Sequence, residues 1–191
     1  MKAIRVDQFG APEVMRYVET IDPEVGPGQV RVRLQAIGVN PVDTYWRAGM
    51  NPALKLPYTP GLDGAGVVDQ VGAGVTTCRV GDRVYLGTAL PCTYAELAAV
   101  PAARVFALPA SCSFEAGAAL HVPYATAHRA LFHRGQGRAG ETVFIHGASG
   151  AVGLAATQFA RAHGFRVIGS AGSEAGRRLA LEQGLHHVVD H

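Results

Sequence analysis

Lysine is nearly missing from this 191-residue chain: two of its seventeen basic residues are Lys2 and Lys55, and the rest are arginines scattered along the sequence. Charge as a whole is sparse. Charged side chains make up 17 % of residues, below the roughly 25 % of an ordinary globular chain. The net charge is only +2, too little to make nucleic acid or an anionic membrane the main partner. Cysteine is scarce too. Cys78, Cys92 and Cys112 are odd in number, far apart and without a C-x-x-C pair, which excludes a disulfide framework and a structural zinc site built on cysteines. No apolar run reaches the roughly 20 residues of a membrane span. The first residues, Met1-Lys2-Ala3-Ile4-Arg5-Val6-Asp7, lack the apolar core of a secretion signal. A cytoplasmic protein is the expectation. Hydrophobic residues reach 48 %, which excludes intrinsic disorder, and the length suits one or two domains of about 100–200 residues each.

What is present falls into two halves. Up to about residue 110 the chain reads as short strands between turns. Val30-Arg31-Val32-Arg33-Leu34-Gln35-Ala36 alternates, placing Val30, Val32, Leu34 and Ala36 on one face of a half-buried strand. Gly26-Pro27-Gly28, Gly72-Ala73-Gly74 and Gly81-Asp82 supply turns around such runs, so an antiparallel barrel or sandwich is expected. After Leu108-Pro109-Ala110-Ser111 the period changes. Ser113 is placed to cap a helix through Leu120, with Glu115 in its first turn. Pro123 should interrupt helical structure, which resumes from Tyr124 to Phe132. Thr142-Val143-Phe144-Ile145 reads as a strand buried in a parallel sheet. A helix over about 151–163, a strand at Arg166-Val167-Ile168, a helix over 174–183 and a strand opening at Val188-Val189 follow. This is βαβ order, so the second half is doubly wound α/β.

The turn after the first of these strands is His146-Gly147-Ala148-Ser149-Gly150-Ala151-Val152-Gly153. It fits G-x-G-x-x-G with Ala148 in the first glycine position. Gly150 lets backbone approach a pyrophosphate, and Gly153 lets the helix pack tightly. The free N–H groups and positive dipole end of that helix face the phosphates. The next strand runs into Ile168-Gly169-Ser170-Ala171-Gly172-Ser173 without the acid that usually bonds the ribose 2′-hydroxyl of NAD. Glu174 fits the first turn of the following helix better. Small residues leave room for a 2′-phosphate, and Arg177 or Arg178 is placed to neutralise it, which favours NADPH.

Four segments carry a resemblance: Val39-Asn40-Pro41-Val42-Asp43-Thr44-Tyr45, Tyr58-Thr59-Pro60-Gly61-Leu62-Asp63-Gly64-Ala65-Gly66, Val122-Pro123-Tyr124-Ala125-Thr126-Ala127, and His146 to Gly153. In order and spacing they resemble the zeta-crystallin type of NADPH:quinone oxidoreductase, in the medium-chain dehydrogenase/reductase superfamily. The resemblance implies a GroES-like catalytic domain over residues 1–112 and the first part of a Rossmann domain over 113–191. It implies that Asn40, Asp43 and Tyr45 belong to the catalytic wall, with Tyr45 and Thr126 near the nicotinamide. It also implies that Ser149, Gly150, Ala151, Val152 and Gly153 hold the pyrophosphate, that Gly172 borders the 2′-phosphate, and that His191 contacts the cofactor near the adenosine ribose. His128 stands where relatives carry Tyr, and Asp63 where zinc-dependent cousins carry Glu.

Those cousins hold zinc with Cys or Asp, His and a second Cys. Here Val39-Asn40-Pro41 has no Cys, Gly61-Leu62-Asp63 has no His, and the four-cysteine lobe is missing. The expectation is a metal-free site that aligns a bound NADPH against a quinone or similar conjugated carbonyl. An enoyl-thioester or alkenal reductase shares the same features. The family resemblance further implies a homo-oligomer, dimer or tetramer, in the full-length form. It also implies secondary binding to RNA or single-stranded DNA, for which the sequence offers no basic-aromatic platform. From Thr142 onward there is chain for only two or three parallel strands. The sequence therefore reads as the N-terminal portion of a longer protein, whose open sheet edge predicts poor solubility alone.

Overall fold

The computed structural model describes residues 1–87 and 91–190, and divides into two units, Met1–His121 and Val122–His191. In the first, β1 (Lys2–Val6) and β2 (Met15–Glu19) form an antiparallel ribbon. The main sheet has five antiparallel strands: β3 (Gln29–Gly38), β4 (Asp63–Val71), β5 (Arg83–Gly87), β6 (Leu97–Pro101) and β7 (Val105–Ala107). Their order is β6-β3-β4-β5-β7. The expected alternation is met in β3, where Val30 and Val32 are buried and Leu34 and Ala36 half-buried. With Val68, Val84, Leu86, Ala98 and Val100 the two valines form the core of this unit. Burying a Val or Leu side chain is worth about 1.5–3 kcal/mol.

Helix α1 (Pro41–Arg47) follows β3 directly, and Pro41 at its first position needs no intrahelical acceptor. Helix α2 (Phe114–Ala118) is capped by Ser113, whose hydroxyl accepts from the Ala116 N–H at 3.1 Å. It packs through Ala118 against Ala65 and Leu108, so packing keeps α2 with the strands although its period is that of the second half.

In the second unit α3 (His121–His128) widens into a π turn over Arg129–Arg134. The expected interruption of helical structure is present but lies ahead of Pro123, at residues 119–120 between α2 and α3. Pro123 is the third residue of α3, where the missing N–H would have had no intrahelical partner. Strands β8 (Thr142–Ile145), β9 (Arg166–Ser170) and β10 (His187–Val189) are parallel in the order β10-β9-β8. They are linked by α4 (Ala151–Ala162) and α5 (Glu174–Glu182). The core joins Ile145, Ala148, Ala155, Ala160, Phe165, Val167 and Leu185. Among the described residues β8 pairs in parallel with β9 as its one sheet neighbour, its Val143/Ile145 side packs inward, and Phe144 is 57 % exposed. β9, with a neighbour on each side, is the buried strand. No helix among the described residues is long and apolar enough to cross a membrane.

Candidate functional site

The second unit places the Gly-rich turn at the C-terminal end of β8. Gly147 has φ +65°, a left-handed conformation that favours glycine. This is the glycine the tight turn needs, one position before the Ala148 that the pattern assigned. Ala148 instead is wholly buried, and its N–H donates to the Ser170 carbonyl at 2.8 Å, tying the turn to β9. Gly150 caps α4 in extended conformation. A Cβ on Gly153 would lie 2.4 Å from the Gly147 carbonyl oxygen and 2.7 Å from the Ala148 Cα. The helix therefore starts in backbone-to-backbone contact with the turn. The N–H groups of Ala151, Val152 and Gly153 lie in its first turn and have no intrahelical acceptor. Ala151 and Val152 are exposed, so this end offers donors and a positive dipole to an anion.

β9 ends beside this turn. Ser170 and Ala171 are buried and Gly172 is exposed, with no acidic side chain among them. Glu174 lies in the first turn of α5 behind its cap Ser173, whose hydroxyl accepts from the Gly176 N–H at 3.0 Å. Arg177 turns back to the strand end. Its Nη1 donates to the Ala171 carbonyl at 3.3 Å and pairs with Asp190 at 2.7 Å. That places the Arg177 guanidinium next to Gly172, while Arg178 is exposed on the helix. The turn, the α4 N-terminus and a β9 end without an acid fit a dinucleotide with a 2′-phosphate better than one with a free 2′-hydroxyl.

In the first unit the residues around α1 form a buried polar network. Asn40 and Asp43 are 7 % and 6 % exposed, and Asp63 is 1 % exposed. The Asp43 carboxylate accepts from the Asn40 backbone N–H at 2.8 Å and from the Tyr94 hydroxyl at 3.0 Å, both at Oδ2. The Asn40 side chain donates from Nδ2 to Asp63 Oδ2 at 2.9 Å. Asp43 Oδ1 and the Tyr58 hydroxyl are buried without a hydrogen-bond partner among the described residues. Burial pushes the Tyr94 phenol well above the usual tyrosine range, and the Asp43 carboxylate beside it adds to the shift. Tyr58 is raised by the same two causes in the same order, with Arg47 opposing. The helix-capping role of Asp43 and its place in a polar wall are thus one arrangement. Tyr45, two residues on, is 52 % exposed.

Of the residues singled out from sequence, the structure brings Asn40 and Asp43 into one network and leaves Tyr45 projecting beside it. Ser149, Gly150, Ala151, Val152 and Gly153 are together at the α4 N-terminus, with Gly172 and Arg177 at the end of β9. Thr126 is exposed on α3, and His191 lies outside the described residues. His128 packs against the rings of Phe132 and Phe159, with centroids 5.0 and 5.7 Å away. Sequence reasoning missed Tyr94 and Gly147. Tyr94 is 51 residues from Asp43 and carries no local signal. Gly147 was legible as the one glycine before the fitted pattern. Among the described residues no three His, Cys, Asp or Glu side chains are grouped to hold a metal ion.

Two family models match the chain: "Alcohol dehydrogenase GroES-like domain" over residues 26–110 and "Zinc-binding dehydrogenase" over residues 151–191. A rat (Rattus norvegicus) quinone oxidoreductase is 49 % identical over 195 residues, covering 100 % of this chain and 59 % of the relative. A quinone oxidoreductase structure from Pseudomonas syringae pv. Tomato DC3000 superimposes with a TM-score of 0.92 at 40 % identity, over 99 % of this chain and 58 % of that one. An Escherichia coli quinone oxidoreductase solved with NADPH gives a TM-score of 0.91 at 33 % identity, over 100 % of this chain and 58 % of that one. The chain therefore spans about three fifths of the length of these relatives.

Proposed function

This chain belongs to the quinone oxidoreductases of the medium-chain dehydrogenase/reductase superfamily, and from that premise we propose that its protein reduces quinones with NADPH and without a catalytic metal. The observation that carries the reading is the glycine turn pressed on α4 beside a β9 end whose own residues, Ser170, Ala171 and Gly172, carry no acidic side chain. NADPH, when bound, supplies the reducing equivalents. The chain's own residues do the rest. The N–H groups of Ala151, Val152 and Gly153 hold the pyrophosphate, helped by Ser149, and Gly150 lets it come close. Gly172 leaves space for the 2′-phosphate, and the Arg177 guanidinium, oriented by its ion pair with Asp190, offers it its remaining N–H donors. Asn40 orients the reacting partners from a rigid, buried position. The Tyr45 hydroxyl donates a hydrogen bond to the acceptor oxygen as negative charge develops there. Quinones are electrophilic enough to need no Lewis acid, in keeping with Asn40 and Leu62 at positions where zinc-dependent cousins place ligands.

The test is NADPH oxidation with ortho- and para-quinones, and with α,β-unsaturated aldehydes as the competing acceptor class. Faster turnover of quinones is the expected result; turnover of enals alone would replace the acceptor class. Tyr45→Phe should lower kcat about tenfold, less than the loss of a fully buried oxyanion donor would cause. An unchanged rate would remove Tyr45 from the chemistry while leaving the family assignment standing.

A further inference from the structure

Asp63 is the first residue of β4, paired across β3 with Gly38 and across β5 with Gly87. Neither neighbour has room for a side chain. A Cβ on Gly38 would lie 2.7 Å from Asp63 Cβ, and one on Gly87 would lie 2.8 Å from His121 Nδ1 and 2.9 Å from Phe106 Cε2. The Asp63 carboxylate thus sits in a slot between two glycines, 1 % exposed, with its Oδ2 against the Asn40 side-chain nitrogen. A carboxylate only accepts, so the amide nitrogen must face it; an inverted amide would set oxygen against oxygen. The Asn40 backbone is fixed as well, because its N–H is held by Asp43.

We propose that Asp63 is a positioning residue for Asn40: it takes one amide hydrogen and so aims the second as a donor toward a carbonyl oxygen of the bound acceptor. This rests on the reading of Asn40 as a residue that orients the reacting partners. In this role Asp63 acts on the acceptor through the Asn40 amide.

The experiment compares Asp63→Asn with the exchanged pair Asn40→Asp/Asp63→Asn in the complete protein. In the single variant two neutral amides pair in either sense. Quinone turnover should fall on the order of 10–100-fold while NADPH affinity, read by fluorescence, stays at the wild-type value. The exchanged pair restores the hydrogen bond with donor and acceptor reversed. Its thermal midpoint should return toward wild type, yet kcat should stay low, since an aspartate at position 40 has no second N–H to aim. Wild-type kcat in Asp63→Asn, or recovery of kcat together with stability in the exchanged pair, would overturn the proposal. A readout independent of turnover separates this from failure of the quinone assignment. The Asn40 side-chain amide, identified by its loss in Asn40→Asp, should show one slowly exchanging hydrogen by NMR, and Asp63→Asn should abolish the protection. Two rapidly exchanging hydrogens in the wild type would overturn the proposal even if quinones are reduced.

Discussion

Gly150→Ala should leave the protein as stable as wild type and weaken NADPH binding by about tenfold or more, whereas Gly153→Ala should damage both. The two glycines are three residues apart and look alike in sequence, but their surroundings differ. A Cβ on Gly150 would meet the Gly147 carbonyl oxygen at 3.4 Å, an ordinary contact, and its backbone is extended with φ −78° and ψ 165°. Alanine fits there in the protein. What it obstructs is the approach of a phosphate to the α4 N-terminus. At Gly153 the same methyl group would enter the Gly147 carbonyl at 2.4 Å, so turn and helix must move apart. Overpacking of that kind costs about 1–3 kcal/mol, and the N–H groups of the first turn move with the helix. Urea unfolding and NADPH fluorescence titration separate the two outcomes. Equal affinity in Gly150→Ala and wild type would remove the turn from the binding site.

Asp43→Ala should strongly destabilise the first unit. It strips the acceptor from the Asn40 N–H and the Tyr94 hydroxyl at once, leaving both donors in a buried region. Each unsatisfied group costs about 1–3 kcal/mol, so a loss of about 2–6 kcal/mol is expected in urea unfolding. The tyrosines provide a second readout. Asp43 is a secondary cause, after burial, of the raised values of Tyr58 and Tyr94, so both phenols should ionise at lower pH in the variant. In the wild type the sign is fixed by the same shifts. The unfolded chain ionises tyrosine near its ordinary value of 10.0 while the folded chain keeps these protons. The stabilisation is therefore complete below pH 10.0 and is lost as pH rises above it. Absorbance at about 295 nm follows the phenols, where tyrosinate absorbs. Unaltered tyrosine titration together with unaltered stability would mean that Asp43 is not the hub of the network.

Much of this was legible because local chemistry determines it. The alternation at Val30–Ala36, the caps Ser113 and Ser173, and the strand–turn–helix run from Thr142 to Ala162 all depend on neighbours within a few residues. The break falls ahead of Pro123, at residues 119–120, because a proline fits a first helical turn, and the start of α3 at His121 has no strong cap to announce it. The polar network is the hardest case. Asn40, Asp63 and Tyr94 meet only because β3 pairs with β4 and the Tyr94 N–H donates to the Pro60 carbonyl at 2.9 Å. No periodicity carries such long-range placement.

The central claim is that the α4 N-terminus and the end of β9 hold a dinucleotide bearing a 2′-phosphate. Parallel titrations of the protein with NADPH and NADH, followed by nicotinamide fluorescence, test it most directly. The account requires micromolar binding of NADPH and an affinity for NADH at least about tenfold weaker, the increment expected from a charge-assisted phosphate contact. Equal affinities, tighter binding of NADH, or no binding of either would contradict it.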